Sequence, residues 1–441
     1  MYAHPANIYV PLGDSSAHWF LTNPVYKTAD IVSRKIVHTL QRESGALSSE
    51  SIPEELYHRG YVTEKPVSLA EVYSTIPDES SSNILISVAV TYECNLRCAY
   101  CFQNHTSSQH SHRFNSEKIT LLSQAIDILK RKHVVFSPSH IHWELTGGEP
   151  LLPTNRSAVE GLLEVAGHAS PIFITTNGTS IPEYTDLLSS YPVRLRVTLD
   201  GIPAVHDTRR ISAYGHGTCQ KIIEGIESAR EAGIPITVKI NIDSQNLTLL
   251  DKGFEMMEGY GWIDDPDVSL GLARVRATPA YDSVWTESAF VTHVCSYLEK
   301  YHLQKYIDVL FTGSRYFKDI IEGKEPKVRT RRCRIDKNFF FNPDGLIFPC
   351  ILVESYPVGT FYPSFSLDES KLISLKNRVI TNLPECRQCR YALICGGGCP
   401  ADSIERYGTL FRHACIDYPH ILKNYIPYLL KSLKINVIPD R

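Results

Sequence analysis

The sequence predicts an α/β fold, in which a partial (β/α)6 barrel resembling the TIM barrel is flanked by two smaller regions. Between residues 84 and 275 short β-rich runs alternate with helical stretches, and this alternation is typical of a parallel sheet, closed or partly closed as a barrel. The first 80 residues combine a hairpin pattern with helical periodicity, which predicts a small α+β module. Seven cysteines between Cys333 and Cys415 predict a separate cysteine-rich domain.

Composition and charge exclude several classes of protein. Lys and Arg total 45 against 48 Asp and Glu, and this balance lacks the basic excess that nucleic-acid binding requires. The N-terminus has no signal-peptide pattern, and the longest apolar run, near residues 84–90, is too short to cross a membrane. We therefore expect a cytoplasmic protein. Cytosolic thiols stay reduced, so the twelve cysteines indicate metal ligands rather than disulfides.

The N-terminal module is expected to span residues 1–80. Residues 6–22 alternate apolar and polar positions around Gly13, which predicts a hairpin. Residues 28–43 show helical periodicity, and a second short helix is expected near residues 53–59. The polar stretch 78–83 marks the end of the module.

The barrel is expected to occupy residues 84–300. Its helices include residues 117–132 and 217–232, and its strands are the runs ILISVAV, HIHWELT, PIFITTN, RLRVTLD, ITVKINI and VSLGLARV. Residues 286–323 are expected to be helical, with a helical bridge over 301–332. A C-terminal domain then covers 333–425 and a tail covers 426–441. Active sites in such barrels lie at the C-terminal ends of the strands.

The first cysteine group follows the first strand of the barrel. Cys94, Cys98 and Cys101 form a C-x3-C-x2-C pattern in a short loop. A [4Fe-4S] cube held by three thiolates keeps one iron open for a small molecule. The alternative is a structural zinc site, but such sites usually close with four ligands at paired spacings.

The segment CNLRCAYCFQ resembles the cluster motif of the radical S-adenosylmethionine (SAM) superfamily. The resemblance implies that SAM chelates the open iron through its amino and carboxylate groups. Its reductive cleavage then gives a 5′-deoxyadenosyl radical that abstracts hydrogen from a substrate. In this chemistry the protein holds and shields the cofactors.

Further segments match the positions at which that family contacts SAM. The resemblance implies a methionine-ammonium contact by the GGEP segment, ribose contacts by two polar residues, a carboxylate contact by an arginine and an aromatic border to the adenine. The residues are Gly147, Gly148 and Glu149; Asn177 and Thr198; Arg210; and Tyr100 and Phe102. Taken singly, such turns are common, and aromatic residues beside clusters often only exclude water.

The C-terminal cysteines are similar in spacing to the SPASM domain, which holds two auxiliary [4Fe-4S] clusters. The resemblance assigns Cys386, Cys389, Cys395 and Cys415 to one closed cluster. It assigns Cys333, Cys350 and Cys399 to the other, for which no cysteine just upstream of Cys333 supplies a fourth ligand. That cluster has an iron open to substrate, or is completed by water or a non-cysteine ligand.

Two cysteines remain outside these sets. Cys219 and Cys295 lie in predicted helices, where a free cysteine is most often a buried packing residue. If either faced the barrel mouth, it would suit the hydrogen-atom donor that peptide epimerases of the superfamily require.

The resemblance implies an enzyme that modifies a ribosomally made peptide, most simply by forming a thioether, carbon–carbon or ether crosslink. Sulfatase maturases carry an Asp base at the position of Ile351, so formylglycine formation is disfavoured.

The N-terminal module resembles the winged-helix elements that bind leader peptides, for example by strand addition; the alternative is that it only packs on the barrel. Expected partners are a precursor peptide and a reductant such as flavodoxin or ferredoxin. Alternative hypotheses are a small-metabolite enzyme, a peptide epimerase and a non-catalytic iron–sulfur carrier.

Overall fold

The computed structural model describes residues 1–13, 17–41, 47, 52–78, 83–103, 113–133, 137–278 and 281–435. The centre of the predicted N-terminal hairpin turn and most of the polar stretch 78–83 lie outside these residues. No helix in the described ranges is both long and apolar enough to cross a lipid bilayer.

The N-terminal module contains a three-stranded antiparallel sheet of order β2-β3-β4, beside a pair formed by β1 and β5. Its elements are β1 (Tyr2–Ala3), β2 (Ile8–Pro11), β3 (His18–Asn23), β4 (Thr28–Ser33), α1 (Arg34–Gln41), α2 (Glu54–His58), β5 (Val62–Thr63) and α3 (Leu69–Ser74). The predicted pairing of two strands within 6–22 and the helix near 53–59 are confirmed. The helix predicted over 28–43 is wrong for its first six residues, because β4 pairs along its whole length with β3. Non-local pairing here overrides a helical pattern.

The six expected barrel strands form one parallel sheet of order β6-β8-β9-β10-β12-β13, which confirms the predicted partial barrel. The elements of this region are β6 (Ile84–Thr91), β7 (Leu96–Cys98), α4 (Ser116–Lys132), β8 (Ile141–Gly147), α5 (Arg156–Ala166), β9 (Ile172–Thr176), α6 (Thr185–Leu188), β10 (Val193–Thr198), α7 (Pro203–Arg209), β11 (Arg210–Ser212), α8 (Cys219–Glu231), β12 (Ile236–Ile242), α9 (Leu250–Gly259) and β13 (Val268–Arg274).

The cysteine-rich region is built onto the barrel sheet. The elements that follow β13 are α10 (Glu287–Lys300) and α11 (Ser314–Ile321), and those of the cysteine-rich region are β14 (Asn338–Phe341), β15 (Leu346–Phe348), β16 (Gly359–Thr360), β17 (Ser366–Leu367), α12 (Glu369–Lys376), α13 (Ala392–Cys395), α14 (Pro400–Tyr407) and α15 (Tyr418–Ser432). Strand β14 pairs in parallel with β6, and β15, β16 and β17 continue the sheet beyond it. The C-terminal cysteines are thereby anchored to the strand that leads into the Cys94 loop.

Two predicted boundaries differ from the structure. The helix expected over 286–323 is divided into α10 and α11, because His302 adopts a positive φ of 56° after α10 and Gly313 one of 86° before α11. Within the expected bridge over 301–332, α11 alone is α-helical. The expected tail boundary at residue 425 falls inside α15, which continues to Ser432 because its last turns bury apolar side chains.

Candidate functional site

The Cys94 loop is held between two strand ends. Cys98 ends β7, and β7 pairs with β11 so that Cys98 lies opposite Arg210. Burial, together with the nearby Glu149, Cys98 and Cys101, raises the pKa of the Cys94 thiol to about 12. The three thiols are therefore close enough to repel one another when ionised. A positively charged iron centre removes that penalty, so the donor set fits a cluster.

The GGEP segment is fixed against the chain that enters this loop. The backbone NH of Gly148 donates to the Thr91 carbonyl at 2.8 Å, and that of Glu149 donates to the Glu93 carbonyl at 2.8 Å. A Cβ atom at Gly148 would lie 2.3 Å from the Glu93 carbonyl oxygen, and Gly147 has a φ of +127°. Glycine is required here for contact between two backbone segments, in addition to any contact with a ligand.

Glu149 is a buried carboxylate with three protein donors. It accepts from the Thr176 hydroxyl at 2.6 Å, the Asn177 NH at 2.6 Å and the Leu151 NH at 2.9 Å. Burial raises its pKa, and these hydrogen bonds oppose that shift. The arrangement fixes the carboxylate beside Cys94, which is compatible with its predicted contact to the SAM ammonium.

Asn177 and Thr198 are buried residues at the ends of neighbouring strands. The Asn177 amide donates to the Asn95 side chain at 2.7 Å and lies 3.9 Å from the Cys94 sulfur. Thr198 is in register with Lys239 on β12. The structure thus places Asn177 beside the cysteine loop, while the ribose contacts of both residues stay predictions.

Arg210 is buried, and only part of the hydrogen-bonding capacity of its guanidinium is satisfied. Its Nη1 donates to the Tyr100 hydroxyl at 3.1 Å, whereas its Nε is buried without a hydrogen-bond partner among the described residues. A buried guanidinium with a free donor calls for an anionic acceptor. The predicted SAM carboxylate fits this requirement.

The hydroxyl of Tyr100 is committed to a protein network. It donates to Asp200 at 2.5 Å and accepts from Arg210 and from Asn241, the latter at 3.0 Å. Any adenine contact by Tyr100 is therefore left to its ring. Phe102 is 47% exposed and does not share this network.

Sequence reasoning missed Arg209, which forms a buried ionic network under Tyr100. Its guanidinium pairs with Asp243 at 2.7 Å and Asp200 at 3.3 Å, and all three side chains are at most 2% exposed. Tyr281 donates to Asp243 at 2.6 Å. The sequence offered a signal for this network. Asp200 lies two residues after β10, Asp243 lies directly after β12, and the pair Arg209–Arg210 lies between them.

Sequence reasoning also missed an ion pair between Arg196 on β10 and Glu144 on β8. Arg196 donates to Glu144 at 2.8 Å, and Ser87 and Thr175 also donate to that carboxylate. Glu144 and Thr146 line a cavity of about 110 Å³ that also reaches Cys350 and Ile351. This cavity joins the end of β8 to the C-terminal cysteines.

The C-terminal cysteines are gathered as expected for the closed cluster. Cys386 interacts electrostatically with the other three thiols of its set, and burial raises its pKa to about 12. The four residues line one cavity of about 70 Å³, and they are Cys386, Cys389, Cys395 and Cys415. A cavity walled by four thiols, whose ionised forms would repel one another, fits an iron–sulfur cluster, because the iron offsets the thiolate charge.

The other set is also brought together. Burial raises the pKa of Cys350 to about 11, with Cys399 and Cys333 contributing in the same direction. Among the described residues, no three His, Cys, Asp or Glu side chains converge tightly enough for a single metal ion. Cluster ligands, in contrast, each bind a different iron.

The two cysteines outside the sets are packed in the apolar core. Cys219 is fully buried and Cys295 is 3% exposed. Their positions agree with the packing role that the sequence favoured.

Residues 88–244 match the family model described as the radical SAM superfamily. These residues are a radical SAM domain. The match covers the Cys94 loop, the GGEP segment and Arg210, and it confirms the predicted superfamily. SAM and one [4Fe-4S] cluster follow from membership.

Two curated relatives illustrate the range of radical SAM enzymes that this chain resembles. It is 26% identical over 276 residues to a probable GTP 3′,8-cyclase of Archaeoglobus fulgidus, covering 60% of this chain and 85% of the relative. It is 22% identical over 347 residues to a cysteine-type anaerobic sulfatase-maturating enzyme of Clostridium novyi, covering 72% and 88%.

Solved structures share the fold. The structure described as native anSMEcpe with bound AdoMet and Kp18Cys peptide matches with a TM-score of 0.60 at 17% identity, covering 80% of this chain and all of that chain. Streptococcus suis SuiB bound to S-adenosylmethionine matches with a TM-score of 0.51 at 12% identity, covering 94% and 99%. The likeness to SuiB extends over 94% of the chain, well beyond the radical SAM domain of residues 88–244.

Replacing Arg210 with Ala should weaken SAM binding by about 10- to 100-fold, because a charge-assisted hydrogen bond to the cofactor is lost. Equilibrium dialysis with radiolabelled SAM and the cluster-loaded protein would measure the dissociation constant. Arg97→Ala is the control, because Arg97 is exposed and hydrogen-bonds only to carbonyls of its own loop. Equal affinity of the Arg210 variant and the parent would contradict the predicted carboxylate contact.

Proposed function

We propose that this radical SAM enzyme modifies a ribosomally made precursor peptide by hydrogen abstraction and closes a thioether, carbon–carbon or ether crosslink. The observation that carries the proposal is the cavity between Thr146, next to the GGEP segment, and Cys350. A peptide side chain in this cavity would lie between the SAM site and the proposed auxiliary site. Two auxiliary [4Fe-4S] clusters are part of the proposal.

When bound, SAM and its cluster supply a radical that removes hydrogen from carbon. The chain's own residues orient the reactants. Glu149 and Arg210 are proposed to hold the two charged ends of the methionine moiety beside Cys94. The cavity is lined both by Glu144, which pairs with Arg196, and by apolar Ile351, which suits a side chain with polar and apolar parts.

The N-terminal module is proposed to bind the leader of the precursor. Within the described residues, the outer edge of β4 pairs with no further strand, so an extended peptide can add there. Peptide-bound relatives support this class of substrate. SuiB is described in complex with its precursor peptide SuiA, and that structure matches with a TM-score of 0.51 at 13% identity. Flavodoxin or ferredoxin is the proposed class of reductant.

Co-expression with short peptides encoded beside this gene, under anaerobic conditions, should give a peptide that has lost a pair of hydrogens for every crosslink. High-resolution mass spectrometry would detect the loss, and fragmentation would locate the bond. The same core peptide without its leader should react poorly, and a Cys94→Ala enzyme should give no change.

Other outcomes would redirect the assignment. Incorporation of deuterium from deuterated water without net hydrogen loss would indicate a peptide epimerase. No mass change in any peptide would contradict the proposal and favour a small-metabolite substrate, in keeping with the cyclase relative.

A further inference from the structure

Arg378 is a buried cation in the cysteine-rich region. It is 1% exposed, and its guanidinium donates to four carbonyl oxygens. These are the oxygens of Leu410 at 2.7 Å, Gly397 at 3.0 Å, Gly398 at 3.2 Å and Arg412 at 3.2 Å. Among the described residues it forms no ion pair with a carboxylate, so its charge is hydrogen-bonded but not neutralised. Burying a charge that no carboxylate neutralises costs free energy. Other negative groups near Arg378 are therefore needed to offset this cost.

The position of Arg378 relates it to both cysteine sets. Its guanidinium interacts electrostatically with Cys386 and Cys395 of one set and with Cys333 and Cys399 of the other. The carbonyls that it binds at Gly397 and Gly398 belong to the segment joining Cys395 to Cys399. Arg378 therefore organises the short connection between the two sets.

That connection is held close to its neighbours by glycine. Gly396, Gly397 and Gly398 all have positive φ, of 68°, 83° and 76°. A Cβ atom at Gly398 would lie 2.1 Å from the Ala414 carbonyl oxygen. The backbone between the two sets is consequently compact, and the charge of Arg378 acts over a short distance on both.

Arg332 supplies a second cation in the same place. It directly precedes Cys333 and interacts electrostatically with that thiol and with Cys395 of the other set. Arg332 also interacts electrostatically with the carboxylate of Glu287. Two arginines thus face thiols of both sets.

We propose that Arg332 and Arg378 are positioning residues that raise the reduction potentials of both auxiliary clusters together. The inference rests on the proposed assignment of the two cysteine sets to clusters. A nearby cation stabilises the state that carries the extra electron, and a low-dielectric interior screens this effect poorly. Higher potentials favour uptake of the electron that an oxidised peptide releases. If Arg378 only held residues 396–398 in place, its replacement would leave the reduction potentials of both clusters unchanged.

The test uses the full-length chain with Cys94, Cys98 and Cys101 replaced by Ala, so that the first cluster does not contribute to the spectra. Each auxiliary cluster is titrated anaerobically and followed by electron paramagnetic resonance. Arg378→Met should lower the ratio of reduced to oxidised cluster about tenfold at a fixed potential, or about 59 mV for a one-electron couple, for both clusters. Arg378→Lys keeps the charge and should stay near the parent. Lys252→Gln on α9 removes a charge that is 52% exposed and that water screens, and it should also leave both potentials unchanged.

Iron content separates the possible failures. Unchanged potentials in Arg378→Met with full iron content would overturn the inference. If Arg378→Met loses iron, Arg332→Gln takes its place, and intact clusters with unchanged potentials would again overturn it. Absence of both auxiliary signals from the parent would instead reject the cluster assignment.

Discussion

Replacing Cys94 with Ala should reduce the formation of 5′-deoxyadenosine from SAM to the level seen without enzyme. Three thiolates hold the cluster, and the fourth iron must stay open for SAM, so the loop has no spare ligand. Chromatography and mass spectrometry of reactions containing dithionite would measure the product. The same result is expected for Cys98→Ala and Cys101→Ala.

The two proposed auxiliary clusters should survive these replacements, because their proposed ligands lie in a different part of the chain. Iron content should fall by about a third, which corresponds to one of the three [4Fe-4S] clusters proposed. Cys295→Ala is the matched control, since this cysteine is 3% exposed in α10 and belongs to no set. Persistent 5′-deoxyadenosine formation in the Cys94 variant would contradict the central assignment.

The set of Cys94, Cys98 and Cys101 could be predicted because the spacing of ligands within a loop is a local property of the sequence. The assignment of both C-terminal sets needed the family resemblance, since their members are distant along the chain. The barrel strands were predicted from their alternation with helices. Strand β4 was not, because its state depends on pairing with β3.

Contacts between distant segments explain the other omissions. The pairing of β14 with β6 could not be predicted from the sequence pattern. This pairing brings Cys350 to the cavity that Glu144 also lines. Gly147 and Gly148 were predicted to contact SAM, but the structure also brings the backbone of residues 91–93 against both glycines. The GGEP motif alone does not show which distant segment packs on it.

The buried network of Arg209 links stability to the site. Its cation lies 5.0 Å from the centre of the Tyr100 ring, and Asp200 accepts hydrogen bonds from both side chains. Asp200 also accepts from the Asn241 NH at 3.0 Å. Strands β10 and β12 and the cysteine loop are thus tied together through one carboxylate.

Arg209→Leu should therefore lower the free energy of unfolding by about 3–5 kcal/mol, because it leaves Asp200 and Asp243 buried without their cation. Denaturant unfolding of the metal-free full-length chain, followed by circular dichroism, would measure the loss.

Arg230→Leu is the control. Arg230 pairs with Glu227 and Asp265 near the surface, where water screens the charges, so this variant should lose far less stability. Equal losses in the two variants would show that Arg209 does not compensate its carboxylates as the geometry indicates. A large loss confined to Arg209→Leu would mean that the ionic network beneath Tyr100 is a condition for folding the radical SAM site.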